Sequence, residues 1–184
     1  MEYYTDLFSP MTYEAFSKSD RTITGFRKRQ LNIAKNIHPG DRLICYMTKL
    51  SRWVGVLEVV SDCYIDEKTR IFVEGEDPFV VRFKVKPIVW IDKECSIPIR
   101  EDIVWNSLSF TSGLPQNNPH WTGKFRSSLT KLSDADGKLL ESLLLSQQSN
   151  SPTIYPVNEE DYAKYLRQKA VSYTHLTLPT IYTV

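Results

Sequence analysis

Aromatic and cationic side chains lie close together in one predicted hairpin. The sequence predicts two strands, residues 41–48 and 53–60, joined by a polar loop. This pairing places Tyr46, Lys49 and Trp53 near one another at one end of a small sheet. Flat aromatic surfaces beside a cation are suited to holding a nucleobase, whereas a folded core would use the same rings as filling.

Five further residues are candidates for the walls of such a base pocket. Phe8 and Ser9 end the first predicted strand and could supply an apolar wall and a hydrogen bond to a base edge. Trp105, Phe110 and Trp121 flank a predicted short helix and a loop-rich stretch, and any one of them could close the pocket. For these three residues, packing in the core is the favoured alternative.

Basic residues form two groups that could contact phosphate. The first group, around the start of a helix predicted over residues 25–36, comprises Arg21, Arg27, Lys28 and Arg29. Free backbone N–H groups and the helix dipole favour an anion at such an end. The second group, on one face of a strand predicted over residues 79–91, comprises Arg82, Lys84 and Lys86. A solvated surface is the alternative for both groups and is favoured for the second.

Composition limits the classes of protein to which the chain can belong. It has 184 residues, enough for one domain and a fragment, and a formal net charge of +1. Without a global positive field, nucleic-acid binding would have to depend on a local patch. No apolar run of transmembrane length and no basic leader occur, so we expect a cytoplasmic protein.

No residue pattern indicates a metal, a cofactor or a catalytic centre. The three cysteines are too few and too scattered for a disulfide framework or a zinc site, and we expect them to be reduced. His38 and His120 are far apart, with no Cys or paired carboxylate at ligand spacing. The sequence contains no P-loop and no nucleophile motif.

The order of the predicted elements indicates the fold class. Strands follow one another without the spacing of βαβ units, and helices precede and follow them. Ser133 begins a capping box for a Leu-rich helix that ends near Gln148. We therefore expect an α+β fold, with a small curled sheet or barrel flanked by helices.

The C-terminal region differs from the rest of the chain. The expected divisions are residues 1–148 as one domain, 149–157 as a linker, 158–170 as the start of a further truncated segment, and 171–184 as a non-native tail. The tail contains no Lys, Arg, Asp or Glu and resembles the in-frame translation of a transposase adapter used in sequencing-library preparation. We expect a helix from Asn158 to Lys169 and a native chain that continues beyond it; a natural terminus is the alternative.

Five segments of the chain carry motifs that occur together in one family. They are Asp6-Leu7-Phe8-Ser9, Gly25-Phe26-Arg27-Lys28-Arg29-Gln30, Pro39-Gly40-Asp41-Arg42-Leu43-Ile44-Cys45-Tyr46, Gly55-Val56-Leu57-Glu58-Val59 and Tyr64-Ile65-Asp66. With these motifs the chain resembles an EVE domain, a member of the PUA-like superfamily, over about Tyr3 to Gln148. The sequence departs from the common pattern at Tyr46-Met47-Thr48, where many members have Tyr-His-Ser, and its first strand lacks the usual Trp and Glu-Pro.

This resemblance implies a small mixed β-barrel of the PUA-like type and a function in binding nucleic acid. Related YTH domains hold a flipped, modified base in an aromatic pocket, and EVE domains are often fused to effector domains in bacteria. We therefore expect a non-catalytic reader of a modified base in DNA or RNA. It would be the sensor of a longer bacterial defence or restriction-type protein, with a fused or associated effector domain.

Two other functions stay open at this point. ASCH domains, which are also PUA-like, include small amidohydrolases that act on modified nucleosides through Lys, Thr and Glu. The same hairpin could bring Thr48, Lys49 and Glu58 together for such chemistry, although a lysine beside a carboxylate needs desolvation to act as a base. The second alternative is an RNA-binding or adaptor domain without base specificity.

Overall fold

One mixed β-sheet organises the part of the chain that the computed structural model describes, which is residues 1–73 and 76–175, with the backbone alone for 168–175. The strands are β1 (Tyr3–Phe8), β2 (Ile23–Phe26), β3 (Arg42–Met47), β4 (Arg52–Val59), β5 (Tyr64–Ile65), β6 (Val81–Trp90), β7 (Ile97–Pro98) and β8 (Lys131–Leu132). The helices are α1 (Pro10–Lys18), α2 (Leu31–Ala34), α3 (Asp102–Trp105), α4 (Asp134–Gln147) and α5 (Glu159–His175), with 3-10 turns at Lys28–Gln30 and Pro119–Phe125.

The sheet curls into a half-barrel with the strand order β2-β6-β4-β3-β1-β8. β1 and β3 are parallel, with Phe8 opposite Met47, and the other neighbouring strands are antiparallel. β5 pairs with β6, and β7 pairs with β4. A curled mixed sheet with helices packed on it confirms the predicted α+β, PUA-like class.

Alternation along the strands divides the core into two clusters on opposite faces of the sheet. In β3, Leu43, Cys45 and Met47 pack into the first core, which also contains Phe16 of α1. Ile44 and Tyr46 of the same strand pack into the second core, which contains Leu140 and Leu144 of α4. The two faces therefore carry different helices, with α1 and α5 on one face and α4 on the other.

β2 occupies residues that the sequence predicted to be helical, so the first part of the helix predicted over residues 25–36 is wrong. Ile23–Phe26 pairs antiparallel with β6, and only a 3-10 turn and the four-residue α2 follow it. Gly25 permits this pairing, because a Cβ atom there would come within 2.8 Å of the Phe79 carbonyl oxygen. Long-range pairing has overridden the helical preference of the basic residues that follow.

The segment predicted as a linker lies against the sheet. The Arg52 guanidinium donates hydrogen bonds to the backbone carbonyls of Tyr155 (2.7 Å) and Pro156 (2.9 Å). In α5, the buried Tyr162 donates its hydroxyl proton to the carboxylate of Glu14 on α1, at 2.7 Å. These contacts attach α5 to the face of the sheet that carries α1.

Helix α5 continues past the predicted end at Lys169 and runs to His175. Residues 176–184 of the predicted non-native tail lie outside the described residues. Among the helices that the structure describes, none has both the length and the apolar character needed to cross a lipid bilayer.

Candidate functional site

An open cavity of about 160 Å³ lies where β1 ends and the chain turns into α1. Its walls come from three separated segments, residues 7–12, 25–30 and 126–128, together with Thr48 and Phe79. Sites for drug-sized ligands usually occupy about 300–1,000 Å³. The cavity is smaller than these sites, so its volume suits a small group of about the size of one nucleobase.

Ser9 shapes the mouth of this cavity by capping α1. The Thr12 N–H donates to Ser9 Oγ at 3.1 Å, and the Ser9 N–H donates to Thr12 Oγ1 at 2.9 Å. Pro10 occupies the first helical turn, where its missing N–H has no cost. The sequence predicted that the hydroxyl or amide of Ser9 would bind a base edge. The structure shows the amide engaged in the capping box, with Ser9 and Phe8 both lining the cavity.

Phe79 gives the cavity an aromatic wall with a cation against it. The Arg27 guanidinium lies 5.3 Å from the centroid of the Phe79 ring, within the range of a cation–π contact. Both residues are partly exposed and both line the cavity. An aromatic face beside a guanidinium is therefore present, but it is formed by different residues from those of the predicted hairpin.

Arg82 holds the loop that carries Phe79. Its side chain is 1% exposed, and its guanidinium nitrogens lie 3.2 Å from the Asp66 carboxylate and 3.5 Å from the Asp77 carboxylate. Its Nε–H also donates to the Phe79 carbonyl at 3.0 Å. The expectation of a solvated basic stripe is wrong for Arg82, because the loop folds over it, whereas Lys84 and Lys86 are exposed.

The predicted phosphate-binding residues are divided by the fold. Arg27 and Arg29 line the cavity, and so does Arg126, which the sequence did not indicate and which comes from the segment 126–128. Lys28 and Arg21 are exposed and are not among its lining residues. The helix start expected near residue 25 is displaced, because β2 ends at Phe26, a 3-10 turn spans Lys28–Gln30, and the four-residue α2 begins only at Leu31.

Five residues predicted for the base pocket lie in or against the second core instead; four of them contact the Phe125 ring, and Trp105 contacts Trp121. They are Tyr46, Trp53, Trp105, Phe110 and Trp121. The Phe125 ring centroid is 4.2 Å from that of Tyr46 and 5.5 Å from that of Trp121. Burial raises the pKa of Tyr46 to about 12, so its hydroxyl stays protonated at neutral pH.

Trp53 has no exposed surface, and its ring meets Tyr46 edge-on at a centroid distance of 4.9 Å. This leaves no free ring face against which a base could stack. Lys49 lies in the exposed turn between β3 and β4, with a left-handed φ of 73°, and is not a cavity-lining residue. The predicted trio therefore separates into a packed aromatic pair and a surface lysine.

Polar groups line the side of the cavity nearest residues 126–128. The Leu7 N–H donates to Ser128 Oγ at 2.8 Å, and Gln30 Nε2 donates to Ser127 Oγ. Thr48 Oγ1 donates to the Phe8 carbonyl at 3.3 Å. These bonds join β1, β3 and the segment after the second 3-10 turn into one wall.

Asp6 is a buried carboxyl on β1, two residues before Phe8. Burial raises its pKa to about 8, although a 2.7 Å hydrogen bond from Thr24 Oγ1 opposes the shift. The carboxyl is therefore largely protonated at neutral pH. It joins β1 to β2 as a neutral hydrogen-bonded group.

The residues needed for the amidohydrolase alternative do not meet. Glu58 lies opposite Arg42 at the start of β3, whereas Thr48 follows the end of that strand. Six residues of extended chain between them span about 20 Å. Among the side chains that the structure describes, in residues 1–73 and 76–167, no group of three His, Cys, Asp or Glu could hold a metal ion. The predicted catalytic constellation is thus not assembled.

Comparison with known proteins identifies one matching family model, related sequences and structures of similar fold. A family model described as "EVE domain" matches residues 9–143. A UPF0310 protein of Pyrococcus abyssi is 32% identical over 136 residues, covering 68% of this chain and 88% of the relative. The structure of the Pho92 YTH domain in complex with m6A aligns with a TM-score of 0.56 at 13% identity, covering 84% of this chain and 87% of that one. Human THYN1 in complex with 5-methylcytosine containing DNA aligns with a TM-score of 0.50 at 14% identity, covering 82% and 100%.

Proposed function

Because the chain belongs to the EVE domain family, we propose that it is a non-catalytic module that binds nucleic acid and holds one modified base in the cavity at the end of β1. One observation carries the proposal. The cavity has the size of a single base and has an aromatic wall, Phe79, with the Arg27 guanidinium against it. Base–aromatic stacking contributes about 1–3 kcal/mol per base in proteins that bind unpaired nucleotides.

The proteins of similar fold support a modified base as the ligand. One of them, the Pho92 YTH domain, was solved in complex with m6A, and another, human THYN1, with DNA that contains 5-methylcytosine. Both bases are methylated. We extend this ligand class to the present chain without choosing between DNA and RNA.

The cavity replaces Tyr46 and Trp53 as the proposed base site. Their rings pack around Phe125 on the other face of the sheet, where they support the fold without offering a free surface. Phe8 and Ser9 both line the cavity, which supports the wall role that the sequence proposed for them. Phe79 takes the stacking role.

Arg27, Arg29 and Arg126 supply the charge for phosphate contacts beside the base. They come from two of the segments that line the cavity, residues 25–30 and 126–128. A flipped nucleotide in the cavity would bring its own phosphates to these guanidinium groups, which bind phosphate well because of their planar donor geometry. With a net charge of +1, affinity depends on this local patch.

A sensor role beside an effector is the wider context that we propose. The resemblance to bacterial EVE fusions supports a fused effector in a defence or restriction-type protein. The present chain, however, covers 88% of the Pyrococcus abyssi relative, so that protein consists almost entirely of the matching region. A separate, associated effector is therefore equally compatible with the family.

A pair of matched phenylalanine variants tests the base site. Phe79 and Phe110 are both partly exposed, and each has a cation near its ring, Arg27 at 5.3 Å and Lys124 at 5.8 Å. Only Phe79 lines the cavity. We expect Phe79→Ala to weaken binding of a modified oligonucleotide by about 5- to 150-fold, the equivalent of one lost stacking contact, and Phe110→Ala to leave it nearly unchanged.

Fluorescence anisotropy with oligonucleotides that differ in one methyl group provides the measurement. Equal affinity for modified and unmodified strands would favour a domain without base specificity. Loss of binding in Phe110→Ala but not in Phe79→Ala would indicate that the base binds among the aromatic residues around Phe125 instead. Release of acetate from acetylcytidine would favour the amidohydrolase alternative.

A further inference from the structure

A second open recess, of about 430 Å³, lies beside β5 and is called the β5 groove below. It shares no lining residue with the cavity at the end of β1. Its lining residues are Leu31, Lys35, Ile37 and His38, together with the stretch 62–65. Ile37 is 1% exposed and Ile65 is 45% exposed, so an apolar surface extends from the core to the solvent.

β5 leaves one backbone edge unpaired on the side of this groove. The Asp66 N–H donates to the Val80 carbonyl at 2.9 Å, in register with the pairing of β5 and β6. Because bonded positions alternate along an antiparallel pair, Tyr64 also faces β6, whereas the backbone groups of Cys63 and Ile65 point away from it. Within the part of the chain that the structure describes, the N–H and C=O groups of Cys63 and Ile65 make no hydrogen bond.

The sheet has an unfilled strand position next to this edge. Val59 of β4 accepts a hydrogen bond from the Gly40 N–H and donates one to the Asp41 carbonyl, each at 2.8 Å. β5 continues past Val59 along the same side of β6 as β4. The chain before β3 does not follow it, because it makes a turn in which the Asp41 N–H donates to the His38 carbonyl at 3.0 Å. The position beside β5 that a strand would occupy is the β5 groove.

We infer that the β5 groove binds an extended peptide of a partner protein, which adds to the sheet as a strand beside β5. Cys63 and Ile65 are two residues apart and each presents one N–H and one C=O group, the repeat that an added strand requires. An apolar side chain of the peptide would pack against Leu31 and Ile65. Open strand edges are templates for pairing with another chain. This inference does not depend on the proposed base site.

Lys35 specifies an acidic residue in the peptide. It is an exposed lining residue, and no carboxylate of the described residues lies within 4 Å of it. Asp62, the carboxylate in the groove, contacts the His38 ring instead, with Oδ1 3.0 Å from Nδ1. A nucleic-acid strand fits less well, because Lys35 is the one lysine or arginine among the lining residues and Asp62 opposes it.

Peptide selection followed by backbone methylation tests the inference. Random heptapeptides displayed on phage are selected on the full chain, and the best binder is synthesised and measured by fluorescence anisotropy. Two versions of it carry N-methyl groups on alternate residues, one on the odd and one on the even positions. Only alternate N–H groups of an added strand face β5. We therefore expect one version to bind about 30-fold more weakly, from the loss of two hydrogen bonds, and the other to bind nearly as the parent does.

A pair of variants locates the peptide on the protein. Ile65→Pro removes the N–H that faces the groove, and it leaves the pairing with β6 intact because that N–H has no bond in the fold. Ile65→Ala is the matched control, since it shortens the side chain but keeps the N–H. We expect Ile65→Pro to bind the peptide about fivefold more weakly than Ile65→Ala. Lys35→Glu should weaken binding further, and replacing the acidic residue of the peptide with Lys should restore it.

Several outcomes would overturn the inference. Strand addition is refuted if no peptide is selected, if both N-methylated versions bind alike, or if the two Ile65 variants do. Displacement of the peptide by a single-stranded oligonucleotide would assign the groove to nucleic acid. A wild-type dimer that Ile65→Pro dissociates in sedimentation velocity would assign it to a second copy of the chain. If Ile65→Pro does not fold, the two N-methylated peptides still decide the question on the wild type.

Discussion

Three arginines on the cavity, Arg27, Arg29 and Arg126, should set the salt dependence of binding. Each phosphate neutralised on a single strand contributes about −0.7 to the slope of log affinity against log salt concentration. If all three contact phosphate, the slope is about −2.1, and affinity falls about 18-fold between about 50 and 200 mM salt. Replacing one arginine should change the slope to about −1.4, so that affinity falls only about sevenfold over the same salt range.

Arg126→Gln is the most informative single change, because no pattern in the sequence indicated a role for Arg126. Fluorescence anisotropy across the salt range, with strands that carry the modified or the unmodified base, gives the slope for each. The reduction should be the same for both strands, because a phosphate contact does not depend on base identity. Lys84→Gln removes an exposed charge on β6, outside the cavity, and serves as the matched control. An unchanged slope in Arg126→Gln, or an equal change in Lys84→Gln, would refute the assignment of phosphate contacts to the cavity arginines.

Two further predictions concern buried groups. Asp6 has a pKa of about 8 when folded and an ordinary pKa near 4 when unfolded, so between about pH 4 and 8 the folded state keeps a proton that the unfolded chain has released. The free energy of unfolding should therefore fall as pH rises through that window. In Asp6→Asn, which keeps an acceptor for Thr24, this fall should be smaller. If urea denaturation gives the same dependence of unfolding free energy on pH for the variant and the wild type, the prediction is wrong. Trp53→Ala should lower the free energy of unfolding by about 3–5 kcal/mol, because the side chain is fully buried. Unchanged stability together with lost base binding would instead restore Trp53 as a pocket residue.

Local patterns predicted much of the fold. The alternation of β6 and the Ser133 cap of α4 depend on residues close in sequence, and both elements formed where expected. β2 did not follow local preference, because its pairing with β6 joins residues far apart in sequence. The strands β5, β7 and β8 have two residues each, which is too short for an alternation of apolar and polar residues to be recognised in the sequence.

The candidate site was predictable only in part for a related reason. Phe8, Ser9, Arg27 and Arg29 were indicated by strand ends and charge, and all four line the cavity. Phe79 and residues 126–128 reach it from loops whose paths are set by tertiary contacts such as the Arg82 ion pairs. Trp53 was proposed as a pocket aromatic with core filling as the alternative, and the tertiary packing that buries it, including Phe125 at a ring-centroid distance of 5.6 Å, joins residues far apart in sequence.

The attachment of α5 has a practical consequence for anyone designing a shortened gene. The family match ends at residue 143, and the first sequence-based boundary was residue 148. A protein cut at either position would leave the Arg52 guanidinium without the carbonyls of Tyr155 and Pro156, and Glu14 without its bond from Tyr162. It would also uncover the apolar surface that Leu166 now covers. The smallest fragment that preserves these contacts ends after residue 166, and fragments that stop earlier should be prone to aggregation through the exposed side of α1.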